Sequence, residues 1–220
     1  MERLKPENNA FTLAEVLITL GIIGVVASMT LPALINQTRA KELQTGLKKA
    51  YSVLQTAYNQ MSYDEGQVVN GINYSNQRFM AVFKKYFKKY KDCGLDDCEP
   101  YGTSLRYHTY NNNPLDNFNF DDGQEMIVDG MFIFVENATQ GEDLFISVDV
   151  NGLYKKPNRW GHDLFTFQIM PEGKLLPMGA KGTLYDGQNY CSLTSIHTIN
   201  GIGCTYKAVT EKDYFKNLPK

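Results

Sequence analysis

The distribution of apolar residues changes twice along this chain. From Val16 to Ile35 there are twenty consecutive residues without a charged side chain, and most of them are apolar. Because an α-helix rises about 1.5 Å per residue, a run of this length spans the roughly 30 Å hydrocarbon core of a bilayer. The pattern therefore predicts a membrane-spanning helix with one charge, Glu15, at its edge.

Beyond this run, apolar residues recur at alternating spacings of three and four residues. They are Leu43, Leu47, Ala50, Leu54, Ala57 and Met61. This spacing places them on one face of an amphipathic helix. Because no proline or strong turn signal lies between Leu34 and Tyr63, the membrane helix is predicted to continue as a single helix to about Tyr63.

The rest of the chain contains strand and turn signals that predict a globular head. One more helix is expected at Asn76–Lys91, and four strands follow it. The predicted strands are Glu125–Glu136, Asp143–Val150, Leu164–Met170 and Lys174–Met178. The last two are expected to form a hairpin around Glu172-Gly173. The predicted fold class is α+β, with the long N-terminal helix packed on an antiparallel sheet.

These patterns divide the chain into four parts. Residues 1–10 precede a transmembrane helix at 11–35, its amphipathic continuation occupies 36–63, and the head occupies 64–220. A length of 220 residues, 43% hydrophobic content and a formal net charge of −2 suit one globular domain with an appendage. The near-neutral charge argues against a dedicated nucleic-acid binder, which is usually basic.

Five lysines in eight residues, Lys84–Lys91, form the densest basic segment. Such a segment can contact DNA phosphates or anionic lipid headgroups. Four acidic residues follow it at once and partly neutralise the local field; they are Asp92, Asp96, Asp97 and Glu99. A solvated helix face is therefore the preferred interpretation, and nucleic acid is not expected as a partner.

The four cysteines form two close pairs, Cys93 with Cys98 and Cys191 with Cys204. Two loop-closing disulfides in an oxidising compartment are the preferred interpretation. Because His197 lies between Cys191 and Cys204, a metal site is one alternative, although neither spacing is common for zinc. Reduced cysteines in a cytosolic core are the other alternative.

Candidate catalytic chemistry is sparse in this sequence. The three histidines, His108, His162 and His197, are scattered along the chain. The sequence contains no G-x-S-x-G nucleophile motif, no phosphate-binding loop and no H-E-x-x-H zinc motif. We therefore do not expect the protein to be an enzyme.

The densest group of special residues lies between Asp149 and Phe167 and includes Trp160-Gly161. Asp149, Asn151 and Asp163 carry the oxygen ligands that calcium prefers. Asp and Asn beside Gly and Pro more often cap turns, however, through hydrogen bonds from side chain to backbone. Turn capping is the preferred interpretation, calcium is the alternative, and no cofactor or metal is predicted.

The stretch AFTLAEVLITLGIIGVVASMTLPAL, residues 10–34, resembles the N-terminus of type IV pilins and type II secretion pseudopilins. The resemblance implies that a prepilin peptidase removes residues 1–10 by cutting between Ala10 and Phe11, and that Phe11 is then N-methylated. The family normally has Gly before the cut, whereas this chain has Ala10, the next smallest residue. Gly24 and Pro32 match positions where family helices melt locally during filament packing.

Glu15 corresponds to the glutamate of the family motif. A lone ionised carboxylate in a membrane costs about 2.5–3.5 kcal/mol or more, so it is expected to find a partner. Cleavage would create an α-amino group at Phe11, four residues away on the same helix face. Pairing between this amine and Glu15 of a neighbouring subunit would fix the axial register of a filament. The alternative is a glutamate that lies at the lipid headgroup boundary.

The resemblance implies a prepilin-like structural subunit of a type II secretion pseudopilus or a type IV pilus, polymerised through its N-terminal helix. The implied partners are prepilin peptidase, other pilin or pseudopilin subunits, an assembly platform protein, an ATPase and the membrane. The Trp160-Gly161 segment loosely resembles a segment of pseudopilin heads and favours the secretion type. A DNA-uptake pilin and an uncleaved, membrane-anchored extracellular binding domain are the alternatives.

The implied location is the inner or cytoplasmic membrane, with a cytoplasmic N-terminus and a periplasmic or extracellular head. Several basic residues follow the span, Arg39, Lys41, Lys48 and Lys49, and by simple counting they would face the cytoplasm. Large domains translocate largely regardless of charge, and the paired cysteines favour an oxidising space. The predicted topology therefore places the head outside the cytoplasm.

Overall fold

The computed structural model describes residues 12–75, 78–94, 107–115, 122–127, 129–137 and 143–219. The chain forms two compact units, Met1–Ala40 and Lys41–Lys220. A single helix, α1, spans Leu13–Glu65 and contains 53 residues. This confirms the prediction that the apolar and amphipathic segments form one continuous helix.

The part of α1 within the second unit buries one face. Its buried residues are Leu43, Leu47, Ala50, Leu54, Ala57, Tyr58 and Met61, which include all six positions of the predicted seam. A six-stranded antiparallel sheet receives this face, and its strands follow each other in chain order. The strands are β1 (Lys89–Asp92), β2 (Gln124–Ile127), β3 (Phe132–Asn137), β4 (Leu144–Asp149), β5 (Leu164–Ile169) and β6 (Leu175–Pro177).

Two contacts show how closely α1 approaches the sheet. The Tyr51 ring stacks on Phe167 of β5, with ring centroids 5.1 Å apart and planes 15° from parallel. A Cβ atom on Gly46 would lie 3.2 Å from Cβ of Val150, so the absence of a side chain allows this approach. The predicted α+β arrangement, with the helix packed on an antiparallel sheet, is therefore confirmed.

The helix predicted at Asn76–Lys91 is shorter than expected. Helix α2 covers Arg78–Phe83, one 3₁₀ turn follows at Lys84–Tyr86, and β1 begins at Lys89. The apolar residues follow a helical spacing only in this first part, where Phe79 and Phe83 are fully buried. The later residues instead pair antiparallel with β2, and this pairing overrides the helical propensity of the lysines.

The single strand predicted at Glu125–Glu136 is a hairpin of two strands. β2 and β3 pair antiparallel, with Gln124 opposite Phe134 and Met126 opposite Phe132. The turn contains Asp129-Gly130, and Gly130 has φ of +80°, a conformation that glycine adopts without a steric penalty. Asp-Gly between two apolar runs is a hairpin signal. The sequence prediction treated the apolar residues on both sides of it as one strand and therefore missed the turn.

The predictions for β4, β5 and β6 are confirmed, and β5 pairs with β6 in the expected hairpin. Helix α3, at Cys204–Thr210, was not predicted. Trp160 lies at the centre of the core with no exposed surface, and its indole N–H donates to Oγ1 of Thr166 at 3.1 Å. The Trp160-Gly161 segment is therefore part of the interior rather than of a surface.

Candidate functional site

The first turn of α1 is closed by reciprocal hydrogen bonds between Thr12 and Glu15. Oε2 of Glu15 accepts from the Thr12 backbone N–H at 2.8 Å and from the Thr12 hydroxyl at 2.7 Å. The Glu15 backbone N–H donates back to Oγ1 of Thr12 at 3.2 Å. This is a capping box, in which an N-cap threonine and a glutamate three residues later satisfy the end of the helix. Glu15 also lies where the helix dipole favours a negative charge.

Sequence reasoning assigned no role to Thr12. The signal was nevertheless present, because Thr-x-x-Glu directly before an apolar run is the sequence signature of a capping box. The two residues on which processing was predicted, Ala10 and Phe11, lie outside the described residues. Cleavage and N-methylation therefore stay predictions.

The segment that follows the capping box exposes apolar side chains on all sides of α1. Between Val16 and Ile35 the large apolar residues are between 42% and 73% exposed. A helix that is apolar all round requires a membrane or other helices around it. Within the described residues, α1 is the one helix long and apolar enough to cross a membrane.

The hydroxyl groups in this segment bond to the backbone of α1 itself. Thr19 donates to the carbonyl oxygen of Glu15 at 2.9 Å, Ser28 to that of Val25 at 2.8 Å and Thr30 to that of Val26 at 3.0 Å. Polar groups in a membrane must be satisfied internally, and these three are. The segment therefore presents a nearly uniform apolar surface to its surroundings.

Gly24 and Pro32 both lie inside α1, which continues through them as a regular helix. Pro32 has no backbone N–H, so one hydrogen bond of the helix ladder is missing at this position. A Cβ atom on Gly24 would meet nothing within 4 Å, so no neighbour within the chain requires a glycine there. Local melting at these two positions during filament packing stays a prediction.

Residues 6–31 match the family model for the prokaryotic N-terminal methylation motif. The chain carries the signature of type IV pilins and pseudopilins. The signature implies interaction with other pilin-like subunits and with a prepilin peptidase, and it suggests a structural protein. Together with the apolar part of α1, it fits a membrane-anchored, filament-forming protein. Comparison with curated proteins and with solved structures gives no match.

The head brings together the three residues considered as calcium ligands, and the carboxylate oxygens of Asp149 and Asp163 already accept hydrogen bonds. Asp149 accepts from the backbone N–H groups of Asn151 and Gly152 at 3.2 and 2.9 Å, and from the Tyr107 hydroxyl at 2.7 Å. Asp163 accepts from two backbone N–H groups, those of Asn158 and Arg159, at 2.9 and 2.7 Å. Each of the four carboxylate oxygens thus accepts at least one hydrogen bond, and the backbone donors fit the turn-capping interpretation.

Both aspartates are fully buried, and burial alters their ionisation. Desolvation, and then the negative charge of Asp163, raises the pKa of Asp149 well above its usual range. Desolvation raises the pKa of Asp163 to about 6, although hydrogen bonds from Arg159 and Asn158 oppose the shift. No group of three or more His, Cys, Asp or Glu residues in the described parts of the chain is placed to hold a metal ion. A calcium ion at these residues stays an untested alternative.

The disulfide between Cys191 and Cys204 is confirmed, with a sulfur–sulfur distance of 2.02 Å. The metal and reduced-thiol alternatives for this pair are therefore wrong, because the two sulfurs are bonded to each other. Cys93 is buried in the core, whereas Cys98 lies outside the described residues. The pair Cys93–Cys98 stays a prediction.

The lysine-rich segment is split between a 3₁₀ turn and an edge strand rather than displayed on one helix face. Lys84 forms an ion pair with Asp92, with Nζ 2.7 Å from Oδ2. Lys85, Lys88 and Lys91 are exposed to solvent. Part of the basic charge is thus neutralised locally, as expected for a solvated surface.

The histidines have separate neighbours. The His162 ring is buried and packs against Tyr110, with ring centroids 5.6 Å apart, while the His197 ring packs edge-on against Tyr190 at 5.0 Å. His108 belongs to an isolated bridge with Pro114. The fold therefore places these side chains in three different surroundings.

Proposed function

We propose that this chain is a structural subunit of a type II secretion pseudopilus or a type IV pilus, processed between Ala10 and Phe11 and polymerised through α1. The observation that supports it is a capped helix, apolar on every side from Val16 to Ile35, within a match to the N-terminal methylation motif. Before assembly this segment would lie in the membrane. In the filament it would pack against the same segment of other subunits.

The exchange between these two surroundings is energetically accessible. Lipid tails and neighbouring apolar helices are equally apolar, so moving the Val16–Ile35 segment from one to the other costs little hydrophobic free energy. An assembly ATPase and a platform protein would supply the work and the direction. Reversible insertion and retrieval follow from this near balance.

Glu15 would provide the specific contact within this apolar environment. Both bonds from Thr12 end on Oε2, which leaves Oε1 for a second donor. After cleavage, the α-amino group of Phe11 carries a positive charge at neutral pH. In a filament, the amine of one subunit could donate to Oε1 of Glu15 in its neighbour without breaking the capping box.

The proposed location is the inner or cytoplasmic membrane, with the N-terminus in the cytoplasm and the head on the other side. The Cys191–Cys204 disulfide supports this topology, because such bonds persist in oxidising compartments. Prepilin peptidase and other subunits of the same filament are the proposed partners. No cofactor is required for this function.

The assembly step is tested by recovery of sheared filaments from cells that express Glu15→Gln. We expect filament recovery to fall by at least about tenfold, because leaving the partner amine unpaired in an apolar site costs more than about 1.4 kcal/mol. The matched control is Glu42→Gln, an exposed glutamate in the same helix, which should assemble like the wild type. Equal recovery of filaments from both variants would contradict the role proposed for Glu15.

A further inference from the structure

Three segments of the second unit meet at the end of the sheet where α1 enters it. Gly46 of α1 lies against Val150, because a Cβ atom on Gly46 would lie 3.2 Å from Cβ of Val150. Lys49 of α1 pairs with Asp129 of the β2–β3 turn, with Nζ 3.1 Å from Oδ1. The segments that form this end of the head are therefore 41–49, 129–130 and 150–157.

The last turns of α1 are fixed at the other end of the sheet. The Tyr58 hydroxyl donates to the carbonyl oxygen of Val69 at 3.0 Å. A Cβ atom on Gly173, in the turn between β5 and β6, would lie 3.1 Å from the same hydroxyl oxygen. Strand β5 begins opposite Asp149, at the first end, and leads to this turn. Within the second unit, α1 thus runs along the sheet from one end to the other.

The first of these ends is rich in lysine and is here called the basic end. It is defined by six exposed side chains, those of Lys41, Lys48, Lys49, Tyr154, Lys155 and Lys156. The three segments that form it contain five lysines but two acidic residues, Glu42 and Asp129. The last turn of α1, at the other end, contains Asp64 and Glu65 and no basic residue. The basic end therefore has an excess of positive charge.

The loop that follows β4 presents an aromatic ring beside these lysines. Tyr154 is 72% exposed, whereas the preceding residue, Leu153, is buried in the core. The backbone N–H of Lys155 donates to the carbonyl oxygen of Gly152 at 2.9 Å. The Asn158 side chain donates to the carbonyl oxygen of Leu153 at 2.9 Å. This folded loop combines a tyrosine, which is enriched at membrane–water interfaces, with lysines, which are attracted to anionic headgroups.

The length of the connecting chain places the basic end close to the apolar part of α1. Six residues lead from Ile35, the last residue of the charge-free run, to Lys41. As part of α1 they rise by about 9 Å. The headgroup region adds about 6 Å to each side of the hydrocarbon core, and electrostatic attraction extends about 8 Å further at physiological salt. With the charge-free run in a membrane, Lys41 lies within reach of the headgroup phosphates.

We propose that the basic end docks on anionic phospholipid headgroups of the membrane that holds the apolar part of α1. Lysines and headgroup phosphates have opposite charges, and each lysine near such a surface strengthens binding about fivefold. The inference rests on the membrane anchoring in the proposed function, and it gives the basic residues that follow the span a role outside the cytoplasm. Because the contact is electrostatic and exposed to solvent, it is reversible when the subunit enters a filament.

Photo-crosslinking of the full-length protein in lipid vesicles tests this contact. A benzophenone amino acid replaces Tyr154, and after illumination mass spectrometry identifies lipid adducts on the peptide. The vesicles contain either equal parts of phosphatidylcholine and phosphatidylglycerol or phosphatidylcholine alone. We expect phosphatidylglycerol adducts in the first vesicles, and total lipid labelling at least about fivefold weaker in the second. Added salt should weaken the labelling of the anionic vesicles.

The matched control places the same amino acid at Tyr63, which is 87% exposed and lies near the other end of α1. It should label little lipid in either kind of vesicle. Equal lipid labelling from the two positions would overturn the inference. So would labelling from position 154 that is absent, or that is the same in both kinds of vesicle.

Two double variants test the lysines themselves. Lys41→Gln with Lys155→Gln removes two charges from the basic end, and we expect lipid labelling from position 154 to fall at least about tenfold. The control, Lys174→Gln with Lys181→Gln, removes two exposed charges elsewhere in the head and should leave the labelling close to that of the parent protein. Equal losses in the two variants would show that net charge, rather than the basic end, attracts the lipid.

Flotation of the vesicles on a density gradient separates this inference from the proposed function. Protein that floats with the vesicles but gives no lipid adducts from position 154 would overturn the lipid contact and leave the filament proposal intact. Protein that does not float would remove the membrane anchor, and with it both the proposed function and this inference. Duplex DNA added to the anionic vesicles is a competing probe. Loss of lipid labelling in its presence would indicate nucleic acid as the occupant and would also overturn the inference.

Discussion

Leu20 and Leu54 belong to the same helix, yet Leu20 is 60% exposed and Leu54 is 1% exposed. From Val16 to Ile35, α1 has apolar side chains on every side and no charged residue, whereas its second half has one apolar face and one polar face. The second half is stabilised by packing on its own sheet. The first half must find its partners outside the chain, first in lipid and then in other subunits under the proposed function. The same residue type therefore contributes to folding in one half and to assembly in the other.

The largest expected effect on stability comes from comparing the same leucine-to-alanine substitution in each half of α1. Leu54→Ala should lower the free energy of unfolding by about 2–5 kcal/mol, because it leaves a cavity between α1 and the sheet. Leu20→Ala should change it by less than about 0.5 kcal/mol, because the Leu20 side chain is exposed and its truncation leaves no cavity. Thermal unfolding of the full-length protein in detergent micelles measures both. Similar losses from the two variants would contradict the division of roles along α1.

The second unit also differs from the first in its buried carboxyl groups. These groups predict that the stability of the second unit depends on pH. The pKa of Asp163 is about 6 in the folded protein, compared with 3.8 for an aspartate in the unfolded chain. The folded state therefore binds the Asp163 proton more tightly than the unfolded state does. The contribution of Asp163 to stability is therefore greatest below pH 3.8 and is lost as the pH rises to about 6. The size of this loss is roughly 3 kcal/mol by linkage. The raised pKa of Asp149 acts in the same direction.

The measurement compares the unfolding of wild type and Asp163→Asn at pH 5 and pH 7. The variant is expected to be less stable overall, because an amide cannot accept both backbone bonds, but to show a smaller difference between the two pH values. The test is the change in the free energy of unfolding between pH 5 and pH 7, not its absolute value. An unchanged slope would show that Asp163 does not titrate in this range.

A smaller effect on stability is expected at the first turn of α1. Thr12→Val removes the hydroxyl of the capping box and should destabilise the first turn of α1 by about 1 kcal/mol, whereas Thr12→Ser should retain most of the cap. Hydrogen exchange of the first-turn amides in micelles reports this change. Faster exchange in the valine variant alone is the expected result. Equal exchange in the two variants would show that the Thr12 hydroxyl does not stabilise the first turn of α1.

Periodicity in the sequence was sufficient to predict α1, because its buried face repeats without interruption from Leu43 to Met61. Strands β4 to β6 were also predictable, since clear turn signals separate them. The β2–β3 hairpin was missed because apolar residues on both sides of Asp129-Gly130 read as one strand. β1 was read as helix because lysines and aromatics suit either structure, and only pairing with β2 decides between them.

The candidate site was predictable in part. The charge-free span and Glu15 follow from the residues themselves, and Thr12 could have been found from its spacing to Glu15. The exposure of Ile196 could not be predicted from the sequence, because an isoleucine in an uncharged loop is normally expected to lie in a core. The Asn111 side chain, 84 residues away in the sequence, donates a hydrogen bond to the Ser195 carbonyl oxygen of that loop, and no local pattern predicts this contact.

The central claim, that this chain is a processed and polymerising subunit, is tested most directly by the mass of its N-terminal peptide after recovery from native membranes. We expect a peptide that begins at Phe11 and is heavier by one methyl group. A peptide that still contains Met1 or residues 1–10 would contradict it. Glu15 would then have no amine four residues away, and an uncleaved, membrane-anchored binding domain would be the better description.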